Sequence, residues 1–171
     1  MYNKSIKMSK GIEKFLRPME PVDRGIINAF KMLGMPVARL SLCVVFFWFG
    51  VLKVVGASPA NQLVADLFNA SMPSFVSMSV DQFIFCLGLY EMAIGIAFLV
   101  PRLERLAILL LLPHLFVTAA PLWLLKPMTW QSAFIPTLEG QYIIKNLLII
   151  ATAVGIAAHL EPLHHRATKR R

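Results

Sequence analysis

Lys53, Glu91, His114 and Lys145 are ionisable side chains set inside long apolar runs, and Glu139, Tyr142 and Asn146 stand within two helical turns of Lys145. At bilayer depth an ionisable group costs several kcal/mol, on the order of 3 or more, unless it is paired, hydrated or displaced toward the interface. Brought together, these residues could do recognisable chemistry. Two ammonium groups stabilise developing oxyanion charge, and a carboxylate moves a proton. Such a pocket suits a quinone headgroup or a small anion. Each residue also has a plainer reading. Lys53 and Lys145 could snorkel outward, Glu91 could pair with a lysine only to fix helix register, and His114 could be a hydrogen-bonded packing residue.

The elements that must position these groups are helices. The chain has 171 residues, which suits one domain, and it is 57% hydrophobic with 15% charged residues. Soluble domains carry about 25% charged residues, so the composition predicts an all-α, polytopic membrane protein. A span needs about 20 mostly apolar residues. Segments 37–57, 82–100, 106–125 and 141–159 qualify, and Pro36, Pro59, Pro101 and Pro127 mark their boundaries. Pro113 and Pro121 fall inside the third span and predict a kink there. The expectation is a four-transmembrane-helix bundle over residues 36–160, between a basic segment 1–35 and a basic tail 161–171.

Charge orients the spans. Lys4, Lys7, Lys10, Lys14, Arg17, Arg24 and Lys31 precede the first, Arg39 opens it, Arg102 and Arg105 occupy the tight turn between the second and third, and Arg166, Lys169, Arg170 and Arg171 follow the fourth. The connection 57–81 has no Lys or Arg. By the positive-inside rule both termini are cytoplasmic. The net charge of +8 is therefore mostly orientation signal rather than a nucleic-acid footprint. Within 1–35, Ile26, Ile27, Phe30 and Leu33 share a helical face, which predicts an N-terminal interfacial amphipathic helix or an extension of the first span. "NQLVADLF" predicts a short amphipathic helix in the first external connection.

Depth follows from the 1.5 Å rise per residue. Lys53 lies roughly 24 Å along the first helix, in the outer third, and Lys145 falls at a similar depth in the fourth. Glu91 and His114 fall near the midplane, and Glu139 at the outer surface. These depths predict a polar pocket beneath the outer leaflet, with Lys145 facing the bundle interior. Cys43 and Cys86 differ in depth by about 12 Å, too far for a bridge, which needs Cα atoms within about 7 Å. The spans hold no histidine pair at one depth, so neither a bis-histidine haem nor a metal centre is expected. Gly88 and Gly95, and Ala151, Gly155 and Ala158, read as close-packing positions.

"RLSLCVVFFWFGVLKVVG", "GLYEMAIGIAFLVPRLERLA" and "TLEGQYIIKNLLIIATAV" together resemble the DoxX-like superfamily of four-helix membrane proteins, closest to its YkgB branch. The resemblance covers most of 39–153 and matches it at Arg39, Lys53, Glu91, Glu139, Lys145 and Asn146. It implies a bacterial-type inner membrane and a redox context. The superfamily includes a membrane subunit of a thiosulfate–quinone oxidoreductase and members linked to oxidative-stress defence or to soluble redox enzymes. Three functions fit: a redox-linked membrane component that takes a quinone and works with a soluble redox enzyme or second membrane subunit, a non-enzymatic scaffold that recruits a partner, and a small-solute transporter. The last would need a homo-oligomer to form a pore. As an enzyme the chain would be a subunit of a quinone-linked oxidoreductase.

Overall fold

A computed structural model describes residues 19–72 and 77–161. The basic residues before Met19 and the tail after Glu161 lie outside the described residues. The chain divides into two units at Val37/Ala38. In the first, the start of helix α1 (Glu20–Val54) carries an Arg24–Glu20 ion pair one turn apart at 2.5 Å. Ile26, Ile27, Phe30 and Leu33 are exposed. Helix α1 has 35 residues with Pro36 inside it, so residues 26–33 and the first expected span belong to one helix rather than being divided at Pro36.

Four helices are long and apolar enough to cross a membrane: Glu20–Val54, Val80–Leu99, Glu104–Leu124 and Leu138–Ala157. The last three agree with the expected spans to within a few residues at each end. Large apolar side chains cover their outer faces. Trp48, Phe85, Leu109, Leu112, Phe116, Leu147, Leu148 and Val154 are all exposed. Water would penalise such a surface and hydrocarbon would not. The fold is thus compatible with a multi-pass membrane protein.

Local signals set the helix ends. Helix α2 (Asn61–Ser71) forms where "NQLVADLF" predicts it and buries Leu67 and Phe68. Helix α3 (Val80–Leu99) starts at a capping box: Ser79 Oγ accepts from the Gln82 N–H, and Gln82 Oε1 accepts from the Ser79 N–H. At its other end the Arg39 guanidinium donates to the carbonyls of Phe98 (2.9 Å) and Leu99 (3.1 Å), and to the Glu104 carboxylate at 2.7 Å. Terminal carbonyls lack helical partners, so Arg39 fastens α1 to the turn between α3 and α4 (Glu104–Ala119). Arg39 is therefore a structural staple. Arg102 occupies that turn with φ of 76°, and the Arg105 guanidinium donates to the Glu161 carbonyl.

Pro113 is accommodated inside α4, and Pro121 opens a new turn, α5 (Pro121–Leu124). A compact connector follows: α6 (Lys126–Thr129), then an antiparallel hairpin of β1 (Trp130–Ser132) and β2 (Ile135–Pro136). Thr129 is fully buried and donates to the Leu125 carbonyl at 3.1 Å. Its own carbonyl accepts from the Thr137 N–H at 3.0 Å. Thr137 also N-caps α7 (Leu138–Ile144), its hydroxyl accepting from the Gly140 N–H at 3.1 Å. A Cβ at Gly140 would lie 2.1 Å from the Thr129 carbonyl oxygen, so only glycine fits. Helix α8 (Asn146–Ala157) completes the fourth helix long and apolar enough to cross a membrane.

The core of the second unit is built from Leu42 and Phe46 of α1, Ile94, Ala97 and Phe98 of α3, Ala107 and Leu111 of α4, and Ala153 and Ile156 of α8. Ala151, Gly155 and Ala158 do not pack inside it. All three are exposed, and nothing lies within 4 Å of a Cβ built on Gly155. Burial of Ala153 and Ile156 turns that stripe outward.

Candidate functional site: a buried Lys–Glu–His cluster

The site begins with glycines. A Cβ on Gly50 would lie 2.6 Å from the Gly88 carbonyl oxygen, and one on Gly88 would lie 2.7 Å from that of Gly50. Two turns further along α3, a Cβ on Gly95 would meet the Cys43 carbonyl oxygen at 2.9 Å. Partners on α1 fall in number as those on α3 rise, so the two helices pack antiparallel with their backbones in contact.

Lys53 lies one turn beyond Gly50, and Glu91 one turn beyond Gly88. Side chains on a helix tilt toward its N-terminus. In this antiparallel pair Lys53 leans back over Gly88, and Glu91 leans back toward Lys53. The lysine Cβ sits 3.0 Å from where a Gly88 Cβ would be. Lys53 Nζ then donates to Glu91 Oε2 at 2.7 Å. Exposure is 7% at Lys53 and 5% at Glu91. Bare glycine faces allow an ion pair this close between helices.

Helix α4 adds His114, 6% exposed, with Nε2 3.6 Å from Glu91 Oε1. That separation is too long for a hydrogen bond. His114 Nδ1 is buried and has no hydrogen-bond partner among the described residues. The ring stands edge-on to Phe46 with centroids 5.3 Å apart, and 6.3 Å from the Tyr90 ring. Tyr90 donates its hydroxyl to the Leu110 carbonyl at 2.6 Å, next to the turn where Pro113 lacks an N–H. The His114 carbonyl accepts from Thr118 Oγ1 at 2.9 Å, and Thr118 Oγ1 in turn accepts from Asn146 Nδ2 at 3.4 Å.

Of the residues expected to converge, Lys53, Glu91 and His114 do so, and Asn146 joins the neighbouring backbone through Thr118. Lys145, Tyr142 and Glu139 do not. All three are exposed, and the Lys145 ammonium sits 5.1 Å from the Tyr142 ring centroid. The expectation that Lys145 faces the bundle interior is thus corrected. At about 100° per residue, burial of Gly140 and Ile143, with Asn146 half-buried, carries Lys145 round to the opposite face. Its N-terminal tilt lays the amine along Tyr142 toward the start of α7. Glu139 follows from Gly140, whose burial against Thr129 directs its neighbour outward.

Among the described residues the expected two-lysine cavity is not built. A groove of about 370 Å³ lies instead on the connector, lined by Lys126, Trp130, Ser132, Ala133 and Phe134. Phe46 and Thr118, which sequence reasoning did not single out, complete the His114 environment beside Tyr90. The available signal was the repeat of "GVLK" on α1 and "GLYE" on α3, in which glycine precedes a charged partner by three residues.

No family model matches the chain, and no curated protein or solved structure matches it.

Proposed function

We propose that this chain is a redox-linked membrane component of the DoxX-like type, in which His114 and Glu91 handle the proton of a bound quinone headgroup while a partner takes the electrons. The observation that carries this reading is the unpartnered His114 Nδ1, buried beside a carboxylate that Lys53 already holds. A buried polar atom without a partner is the exception in folded proteins and calls for an explanation. An imidazole nitrogen serves either form of the ligand: as N–H it donates to a quinone carbonyl, and as a bare nitrogen it accepts from a quinol hydroxyl. Phe46 and Tyr90 supply aromatic surface for the ring. Glu91, oriented by Lys53, is placed to exchange the proton with Nε2 after a small closure of the 3.6 Å gap.

In this reading the chain crosses an inner membrane four times with both termini cytoplasmic, following the positive charge of the N-terminal segment, Arg102, Arg105 and the tail. The basic ends face a soluble redox enzyme or a second membrane subunit. A scaffold reading has its own support, because a 2.7 Å buried ion pair over a glycine crossing is what a register lock requires.

The test is to purify the chain in mild detergent from quinone-containing membranes and measure co-extracted quinone. Wild type should carry it in near-stoichiometric amount, and His114→Leu should lose it while keeping its unfolding midpoint. Absence of quinone from folded wild type would remove the ligand reading and leave the scaffold.

A further inference from the structure

Phe134 stands at the tip of the β1–β2 hairpin with a φ of 63° and is 94% exposed. The left-handed region favours glycine or asparagine, and a bulky aromatic there is a genuine outlier. The side chain touches almost nothing of its own chain, so the strain has no compensation within the fold. A local rule broken without an internal gain points to a contact outside the chain.

The neighbouring residues identify the contact. The hairpin belongs to the connector between two helices that are long and apolar enough to cross a membrane, one ending at Leu124 and the next starting at Leu138. If those helices span, the connector lies at the bilayer boundary. Ile135 and Leu138 beside the tip are exposed, and so are Trp123 and Leu124 at the end of the preceding helix. The apolar outer face of the helices therefore continues onto the hairpin. Lys126 and Trp130 line the groove beneath the tip, and Trp130 is held there by donating its indole N–H to the Leu122 carbonyl at 2.8 Å. An apolar tip flanked by an amine and an indole is the composition of a membrane-interface anchor.

We infer that the hairpin is a membrane-surface anchor: Phe134, Ile135 and Leu138 enter the headgroup–acyl boundary of the adjacent leaflet, and the Lys126 amine meets lipid phosphate. The inference rests on the reading that the helices span a membrane, and the test separates the two. Nitroxide labels are introduced singly through Phe134→Cys, Gln131→Cys and Leu148→Cys in the full chain carrying Cys43→Ala and Cys86→Ala. Each protein is reconstituted in phosphatidylethanolamine–phosphatidylglycerol vesicles. Collision rates are read with oxygen, which concentrates in lipid, and with a water-soluble nickel chelate. Labels at 134 and 148 should favour oxygen several-fold, and the label at 131, an exposed polar position of β1, should favour nickel. Nickel preference at 134 with oxygen preference at 148 overturns the anchor and keeps the spans. Shielding at 134 from both reagents means that a second copy covers the tip, which also overturns it. Nickel preference at 148 refutes spans and anchor together. In a chain with both native cysteines, benzoylphenylalanine at 134 should crosslink to phospholipid on irradiation; protein crosslinks, or none, overturn the proposal.

Discussion

Removing Glu91 is the most informative single perturbation of the bundle. Its Oε2 takes the Lys53 ammonium at 2.7 Å, and both residues are less than a tenth exposed. The other oxygen stands 3.6 Å from His114, beyond hydrogen-bonding range, so the carboxylate has one strong partner. Breaking a buried pair by deleting one member costs about 3–5 kcal/mol, because the remaining charge is stranded. The structure divides that range. Lys53 is the last residue but one of α1, so in Glu91→Gln its ammonium can swing past the helix end toward water. The expected cost is about 3 kcal/mol, the lower end of the range. Glu91 sits about 16 Å along α3 from Val80 and has no such exit. Lys53→Met should therefore cost more, nearer 5 kcal/mol. Methionine keeps the stem that lies over Gly88, so the loss is charge rather than packing. The double variant Lys53→Met/Glu91→Leu should return to within about 1 kcal/mol of wild type, since apolar replacement of a whole buried pair is often neutral. The assay is reversible unfolding in bicelles of the wild type, the two single variants and the double variant. Single variants that lose less than about 1 kcal/mol, or a double variant no better than the worse single, would refute the claim that the two charges are buried against each other.

Other substitutions test the parts that create this pairing. Gly88→Ala places a methyl 2.7 Å from the Gly50 carbonyl oxygen. It should cost about 1–3 kcal/mol of overpacking, and infrared spectra of the Glu91 carboxylate should report a weaker contact with Lys53. Arg39→Gln removes donors to Phe98, Leu99 and Glu104. It should destabilise by about 1.5–3 kcal/mol, with Arg39→Lys recovering only part because the forked geometry is lost. Lys145→Gln, on an exposed face, should leave the unfolding midpoint within about 0.5 kcal/mol of wild type; a large loss would show that Lys145 reaches a buried partner.

The fold class was legible because length and hydropathy suffice to mark helices of spanning length, and because Pro59, Pro101 and Pro127 punctuate them. The short helix at Asn61–Ser71 was legible from its apolar spacing, and the Gly88/Gly95 contact from its two-turn interval. Depth arithmetic brought Lys53, Glu91 and His114 to neighbouring levels. It could not set rotation about each helix axis, and the Lys145 expectation failed there. Rotation of the fourth span is decided at Gly140, whose packing against Thr129 depends on a connector fold that no periodicity announces. The same ignorance of rotation turned the Ala151–Gly155–Ala158 stripe outward. Arg39 reads from sequence as an orienting charge, but its bonds to α3 carbonyls join residues about sixty positions apart, which one-dimensional spacing does not reveal.

The cluster is finished at one end and unfinished at the other, and that asymmetry separates the two functional readings. Lys53 and Glu91 satisfy each other across a crossing from which side chains were removed to let the backbones touch. This half has the properties of a lock: it is short, buried and antiparallel, and it is costly to break from one side. His114 has the opposite properties. Aromatic rings hold it in place and Thr118 fixes its backbone, yet one ring nitrogen has no partner and the other stops short of the carboxylate. A packing role alone would be served as well by phenylalanine, which leaves no polar atom stranded. A fully paired network rigidifies a bundle; in the proposed reading, the open nitrogen beside a fixed carboxylate keeps a place for a donor or acceptor from outside the chain. Loss of stability should therefore follow the Lys53–Glu91 pair, and loss of bound ligand should follow His114.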